Sequence, residues 1–516
     1  MNLLCMKLLV FVRFLFEYFC DFLSSFIFNK NGRLEPIKKE FLSLSATKLA
    51  QRIRQKKLKS VELVAACIER VKEVNPDLNA VVQDRFELAL KEAAEADAFI
   101  ETSQLSEEEL EKKKPFLGVP FTSKESTSCA GMRFTCGMLV RSNEIATEDA
   151  DIVKHMKNSG AILIGVTNIP ELNLWCETRN MIYGQSQNPY DFNRTCGGSS
   201  GGEAGIVSAC GSPLGLATDI GGSTRMPAYY CGLFGHKPTS GFVSTKGMSF
   251  RTGTEGLTMV SAGSITKHSE DIIPFVKVLA NDKADLLKLD EKVNLKEVRV
   301  YYILDPGDIR VSPMRKEVMD VILKSANFLS KITKEPAKPV KIEEFKYSST
   351  LWRHSMTKEK SNFAFDLSNR ERQVFFTEEI FKMCLGKCNY TLPALMKLAQ
   401  EQVLPPVDEI WGDVMLKKLT QQLEDLLKDD GVLLFPNCPT TAPYHYMSFL
   451  RPYNFGYWGV FNALHLPATT APLGLSSDKL PLGVQIVANA KNDRLTIAVA
   501  QALEKEFGGW VPPFDV

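Results

Sequence analysis

Hydrophobic and polar positions divide the chain into a first segment unlike the rest and a long body in which helical and strand-like periods alternate. Residues 1–28 are rich in Leu, Phe, Val and Met, interrupted by Lys7, Arg13, Glu17 and Asp21. At ~3.6 residues per turn, Arg13, Glu17, Asp21 and Ser24 share one face of a helix, with Lys7 at its edge. Leu8, Phe11, Leu15, Phe19, Phe22 and Phe26 share the other. A spanning helix needs ~20 mostly apolar residues, so these charges make a poor span. The pattern predicts a membrane-surface helix or weak anchor over 1–28, on an intracellular membrane or lipid-droplet surface. Three alternatives stand beside it. A secretory signal lacks a small-x-small cleavage site. A helix could dock on the protein's own core. An imperfect span could let its charges snorkel. Lys30, Arg33, Lys38 and Lys39 follow, and the positive-inside tendency puts the body in the cytosol, although Glu35 and Glu40 dilute the bias.

Beyond that segment, Thr47–Ile53 and Ser60–Val71 read as helices, the second with Ser60 as N-cap and Asn75-Pro76 as its stop. Ala80–Val82 is a short strand, Arg85–Phe99 an Ala/Glu-rich helix, and Ser106–Lys114 a charged loop or helix end. Ile152–Asn158 is helical, Ala161–Val166 a buried strand, and Thr167–Glu171 a turn. Glu203–Cys210 is a helix, Leu214–Thr218 an extended run, and Ser223 opens another helix. The region from Lys288 to Lys428 is mostly helical. Val432–Phe435 and Leu482–Val487 are strands, and Leu495–Phe507 closes the chain as a helix. Short buried strands alternating with helices predict an α/β fold.

Composition adds bounds. With 516 residues, 44% hydrophobic and 24% charged, the profile is that of a large globular protein. No Pro/Ser-rich linker divides the body, so one catalytic-sized domain is expected over 40–516. The net charge of +1 gives no default polyanion surface, and no nucleic-acid partner is expected. The twelve cysteines include no Cys-x-x-Cys pair, and Cys384 and Cys388 lack matching ligands. No structural metal, cofactor or disulfide framework is predicted. None of the histidines, His155, His236, His268, His354, His445 and His465, sits at metal-ligand spacing with another. Asn193-Arg-Thr195 and Asn389-Tyr-Thr391 match the glycosylation pattern.

The candidate chemistry lies in Cys196-Gly-Gly-Ser-Ser-Gly-Gly-Glu203 and Thr218-Asp-Ile-Gly-Gly-Ser-Thr-Arg225. In each, a serine (Ser199, Ser223) follows paired glycines, which allow a tight turn with inward N–H groups. Such a serine is a candidate nucleophile with a backbone oxyanion site. No histidine lies between them. Upstream is Lys124, in Gly118-Val-Pro-Phe-Thr-Ser-Lys-Glu125, where the preceding apolar residues fit a buried strand end. Each residue has a plainer reading. Ser223 could be an ordinary N-cap. Lys124 could be a solvated lysine beside Glu125. The first glycine turn could cradle phosphate, but it lacks the Gly-x-x-x-x-Gly-Lys-Ser/Thr spacing.

Together, Lys124, Gly197–Gly202, Asp219–Ser223 and Cys231-Gly-Leu-Phe-Gly-His-Lys-Pro238 resemble the amidase signature family, from about Leu44 to the C-terminus. The resemblance implies a central mixed, twisted β-sheet surrounded by helices and a serine hydrolase with a Ser-Ser-Lys triad. Ser223 would be the nucleophile, Ser199 a proton bridge held by a cis peptide, and Lys124 the base. The N–H groups of Ile220, Gly221, Gly222 and Ser223 would form the oxyanion hole, with Ser200, Asp219 and Arg225 in support. Gln187–Tyr190, Arg451–Tyr457 and Phe507–Trp510 resemble the members that cleave fatty-acid amides. That narrower likeness implies a lipid amide substrate; the N-terminal helix adds a membrane surface as partner, and the sequence leaves a homodimer open. Leu172, Leu174 and Trp175 would line the acyl channel, and the apolar stretch Ile380–Leu404 would suit a lipid chain or be ordinary core. Alternatives are a family member acting on smaller amides, such as a glutaminase subunit for glutamyl-tRNA, and a silent lipid carrier on this fold.

Overall fold

The computed structural model describes residues 3–28, 30 and 32–515. Its centre is an eleven-stranded mixed sheet enclosed by helices, as the alternation of buried strands and helices predicts. The strands that position the site are β1 (Val81–Asp84), β2 (Pro120–Lys124) and β3 (Ile162–Thr167). Two small ribbons follow, β4 (Arg179–Asn180) with β5 (Gly184–Gln185), and β6 (Gln187–Asn188) with β7 (Asp191–Thr195). The main sheet continues with β8 (Leu214–Asp219), β9 (Phe234–Lys237) and β10 (Ser261–Thr266). Its second half contains β11 (Arg299–Tyr302), β12 (Lys338–Pro339), β13 (Gly431–Pro436), β14 (Ala468–Leu475) and β15 (Pro481–Val487). The spatial order is β1-β3-β2-β8-β10-β9-β14-β15-β13-β11-β12. β2 runs parallel to both β3 and β8, whereas β10, β9, β14 and β15 form an antiparallel centre. Strands β2, β3, β8 and β10 are buried along their whole length, which accounts for their near-continuous apolar or small side chains.

The first helix, α1 (Leu3–Ile27), forms where the sequence predicts it. Its orientation differs from that of a helix buried by its apolar face: Glu17 and Ser24 are buried against the body, and Phe11, Leu15, Phe19, Phe22 and Phe26 are exposed. The polar stripe is therefore the docking face. Among the described residues, no helix is long and apolar enough to cross a membrane.

Next come α2 (Ala46–Arg54), α3 (Ser60–Leu78), α4 (Phe86–Thr102), α5 (Glu107–Lys113) and α6 (Asp151–Asn158). Ser106 closes a reciprocal capping box with Glu109 at the start of α5. Two boundaries of α3 depart from the sequence reading. Ser60 is inside the helix, its hydroxyl donating to the Gly118 carbonyl at 2.8 Å. The cap comes from Asp97 on α4, whose carboxylate accepts from the N–H groups of Ser60 and Val61 at 2.7 and 3.0 Å. Pro76 does not stop the helix. It sits in the last turn, and left-handed Asn79 ends it, helped by Asn75 Oδ1, which accepts from the N–H groups of Ala80 and Val81. A proline that close to a C-terminus removes one hydrogen bond and has little helix left to break.

Because Asp97 satisfies two N–H groups that have no helical partner, Asp97→Ala should destabilise the protein by about 1 kcal/mol. Chemical denaturation against the parent protein measures that difference, and an unchanged midpoint would show the cap to be idle.

Candidate active site

The parallel pairing of β2 with β8 brings their C-terminal ends to the same edge of the sheet. Lys124 ends β2 and Asp219 ends β8, both fully buried. The first glycine turn, Gly197–Ser200, precedes α7 (Gly201–Ser208), and the second, Ile220–Ser223, precedes α8 (Arg225–Tyr230). The Ser200 N–H donates to the Ser223 carbonyl at 3.2 Å and ties the two turns together. The Gly198–Ser199 peptide is cis, as the resemblance implies. The glycines are sterically required. A Cβ on Gly198 would meet the Trp175 carbonyl oxygen at 2.2 Å, and one on Gly222, at φ +111°, would meet Trp458 at 2.4 Å.

Lys124 Nζ lies 2.8 Å from Ser199 Oγ and 2.8 Å from Thr218 Oγ1. Burial pushes the lysine down to about 7, against the opposing pull of Asp219 and Glu203. Glu203, the first acidic residue of α7, is itself pushed up to about 8 by burial, although Thr122 and Thr167 each donate to it at 2.7 Å. Sequence reasoning missed Thr218 and Glu203 as partners of Lys124. Both lie within the two glycine motifs, but only the β2–β3–β8 register reveals that they surround the lysine.

Asp219 and Arg225 form a fully buried bidentate pair, with Arg225 Nε and Nη2 each 3.0 Å from a carboxylate oxygen. Burial alone would raise the carboxyl, but the guanidinium and its hydrogen bonds outweigh it and hold the group well below the usual range. The remaining Arg225 donors reach Asn462 Oδ1 at 2.6 Å, Gln485 Oε1 at 2.6 Å and the Trp458 carbonyl at 3.1 Å. No local signal in the sequence marks these three partners.

Asp219 Oδ1 also accepts from the Gly222 N–H at 2.7 Å. Gly222 therefore departs from the expected oxyanion set, because its donor is committed to the carboxylate. Among the described residues, the N–H groups of Ile220, Gly221 and Ser223 have no protein acceptor. The Ile220 carbonyl is fixed by Trp352 Nε1 at 2.8 Å. Ser223 follows the turn but lies two residues before α8, not at its first position. Its hydroxyl bonds to no protein group among the described residues. Ser200 Oγ donates to the Thr218 carbonyl at 3.4 Å.

Ser223 sits at the junction of two cavities. One, of about 140 Å³, has a mixed wall in which Arg251, Glu255, Lys360 and Asp366 stand beside Met248, Phe250 and Val260. The other, of about 310 Å³, is lined largely by Trp175, Met226, Trp352, Met396, Leu404 and Phe455. Leu172 faces the mixed cavity, Trp175 the apolar one, and Leu174 both. Helices Phe376–Cys384 and Leu392–Gln402 pack a small core of their own against Leu172 and Leu174. The stretch Ile380–Leu404 is thus both core and cavity wall. Glu171, pushed up to about 7 by burial, anchors the second helix by accepting from Thr391 N and Oγ1 at 2.8 and 2.7 Å.

His236 is held in the sheet, its Nδ1 2.8 Å from Thr469 Oγ1 and its Nε2 3.3 Å from Asp493. Among the described residues no cluster of His, Cys, Asp and Glu could hold a metal ion.

Comparison with known proteins places this geometry. The Amidase family matches residues 62–497. The chain is 42% identical to fatty-acid amide hydrolase 2 of Homo sapiens, over 93% of this chain and 92% of the relative. It is 29% identical to an acylamidase of Rhodococcus erythropolis, over 89% and 95% respectively. A solved structure described as fatty acid amide hydrolase superposes with a TM-score of 0.71 at 20% identity, covering 93% of this chain and 87% of that one. That likeness speaks for the fold. A family match over most of the chain, joined to two glycine turns converging on a buried lysine, makes this protein a member of the amidase family and an amide-bond hydrolase.

Proposed function

We propose that the chain hydrolyses fatty-acid amides to a free fatty acid and an amine or ammonia, through an acyl-enzyme on Ser223. The observation that carries this reading is the position of Ser223 at the mouth of a largely apolar cavity, with a neutral-tending lysine bonded to the adjacent Ser199. The relative most pertinent to it is fatty-acid amide hydrolase 2.

Lys124 is the base. A lysine titrating near ~10.4 is charged at neutral pH and cannot accept a proton; one near 7 is substantially free. As Ser223 Oγ attacks the amide carbon, its proton passes to Ser199 Oγ while the Ser199 proton passes to Lys124 Nζ. The new C–O bond leaves an oxyanion facing the N–H groups of Ile220, Gly221 and Ser223. Collapse breaks the C–N bond, and the relay runs backwards to protonate the departing nitrogen. Water then enters by the same relay and releases the acid. The Ser199–Ser223 link closes when substrate is bound, since catalytic hydrogen bonds tighten in the substrate complex.

In this reading Leu174 and Trp175 contact the acyl chain, and Leu172 lies on the side of the leaving group. The chain has two working parts, the α1 segment and the catalytic body over 40–516. The exposed Phe-rich face of α1 lies in the plane of a lipid surface. Both features favour a lipid substrate over glutamine, which needs no apolar cavity.

Purified protein should hydrolyse a long-chain primary amide with kcat/KM well above that for a short polar amide. Ser223→Ala should lower kcat by about 10³-fold or more, and Lys124→Ala by about 10²–10⁴-fold. Activity confined to the short amide would keep the triad and overturn the lipid assignment. Full activity in Ser223→Ala would overturn the nucleophile.

Asp219 and Arg225 act as the brace of the nucleophile turn. Asp219→Asn leaves a buried guanidinium uncompensated and should cost about 3–5 kcal/mol. Thermal unfolding checks this, and a loss of under ~1 kcal/mol would remove the pair from that role.

A further inference from the structure

Glu17 is buried and Asp21 half-buried where an amphipathic helix would ordinarily present apolar side chains, and their partners are specific. Glu17 Oε2 accepts from Ser312 Oγ at 2.7 Å and lies 3.4 Å from Arg451 Nε, while its Oε1 takes Arg13 at 2.6 Å. Asp21 Oδ2 accepts from Arg451 Nη2 at 2.7 Å. Arg13 also donates to the Arg310 carbonyl. Asn454 closes the arrangement: its Oδ1 accepts from the Ser312 N–H at 2.9 Å, and its Nδ2 donates to Ser312 Oγ at 3.2 Å.

These contacts fall on two loops, and the residues between them line the apolar cavity. Arg310 precedes Ser312 by two positions and lines the cavity. Pro452, Tyr453 and Phe455, interleaved with Arg451 and Asn454, line it too. Arg310 extends the connection inward, donating to Thr350 Oγ1 at 2.8 Å and Ser349 Oγ at 2.9 Å, both also in the wall. A helix serving only as an anchor has no need to bury Glu17 and pair Asp21 against these loops, because lipid adsorption uses its opposite face.

We propose that α1 is a working part of the acyl cavity: Glu17 and Asp21, acting through Arg451 and Ser312, hold the two loops of its outer wall in the shape that accepts a long acyl chain. They are positioning residues, and they touch neither substrate nor Ser223. Seating α1 on a lipid surface is thereby linked to the shape of the cavity into which a lipid amide must pass. The inference rests on the reading of that cavity as the acyl site.

The test compares the full chain in detergent micelles with Glu17→Gln/Asp21→Asn and with Ser312→Ala, on an eighteen-carbon and a four-carbon primary amide. The double variant should lose about tenfold in kcat/KM for the long amide, mostly through KM, with the short amide changed by less than about twofold. Ser312→Ala, which keeps every charge, should show the same selectivity change at about threefold. Hydrogen exchange should quicken in peptides covering 309–315 and 447–455 and stay unchanged across Ser223. A long-to-short ratio unchanged in both variants, or both amides falling equally, overturns the inference while leaving the hydrolase reading intact. If the double variant fails to fold, an unchanged ratio in Ser312→Ala overturns it alone. If the parent protein cleaves no long-chain amide, the acyl reading falls and takes this inference with it.

Discussion

The buried pair of Asp219 and Arg225 is the interaction on which the rest of the site depends. Asp219 ends β8 and, through one carboxylate, fixes both the turn that carries Ser223 and the guanidinium that opens α8. Two charges without solvent are tolerable only when every donor and acceptor is satisfied. Here that requires Asn462 and Trp458 from the helix Gly456–Ala463, and Gln485 from β15. The turn that carries Ser223 is therefore braced by residues from both halves of the sheet.

The same carboxylate sets a tension at Lys124. Burial favours the neutral amine, while the nearby charge of Asp219 favours the ammonium. Arg225 offsets much of that negative charge at contact distance, and Glu203, pushed toward its neutral form, adds less than a second full carboxylate would. Burial is what brings the lysine down to about 7, and it does so against the pull of both carboxyl groups. Thr218 and Ser199 supply its two hydroxyl partners, so the amine is held in one direction whichever proton state it occupies.

Much of this is legible in the sequence, for identifiable reasons. Long periodic segments and continuous apolar runs mark the helices and central strands, because burial on both faces leaves an unambiguous pattern in β3 and β8. The glycine turns are legible because no other residue fits them, as the contacts at Gly198 and Gly222 demonstrate. Three features are not. The cap of α3 comes from Asp97, which is remote in sequence, and a local reading assigns it to Ser60. Periodicity separates the two faces of α1 but does not say which turns inward; Arg451 and Ser312 decide that. The Gly222 N–H looks like its neighbours in sequence, and only the position of the Asp219 carboxylate removes it from the donors available to substrate.

The central claim is that a neutral Lys124 activates Ser223, and the most direct measurement is the rate of Ser223 modification by an alkyl fluorophosphonate as a function of pH, with the adduct mapped by peptide mass spectrometry. The lysine is pushed down to about 7 and must be unprotonated to act, so labelling should be slow at pH 5, rise through about 7 and level off above it. In Lys124→Met the rise should vanish and the plateau rate should fall. An adduct on another residue, or a Ser223 labelling rate independent of pH and of Lys124, would contradict the account.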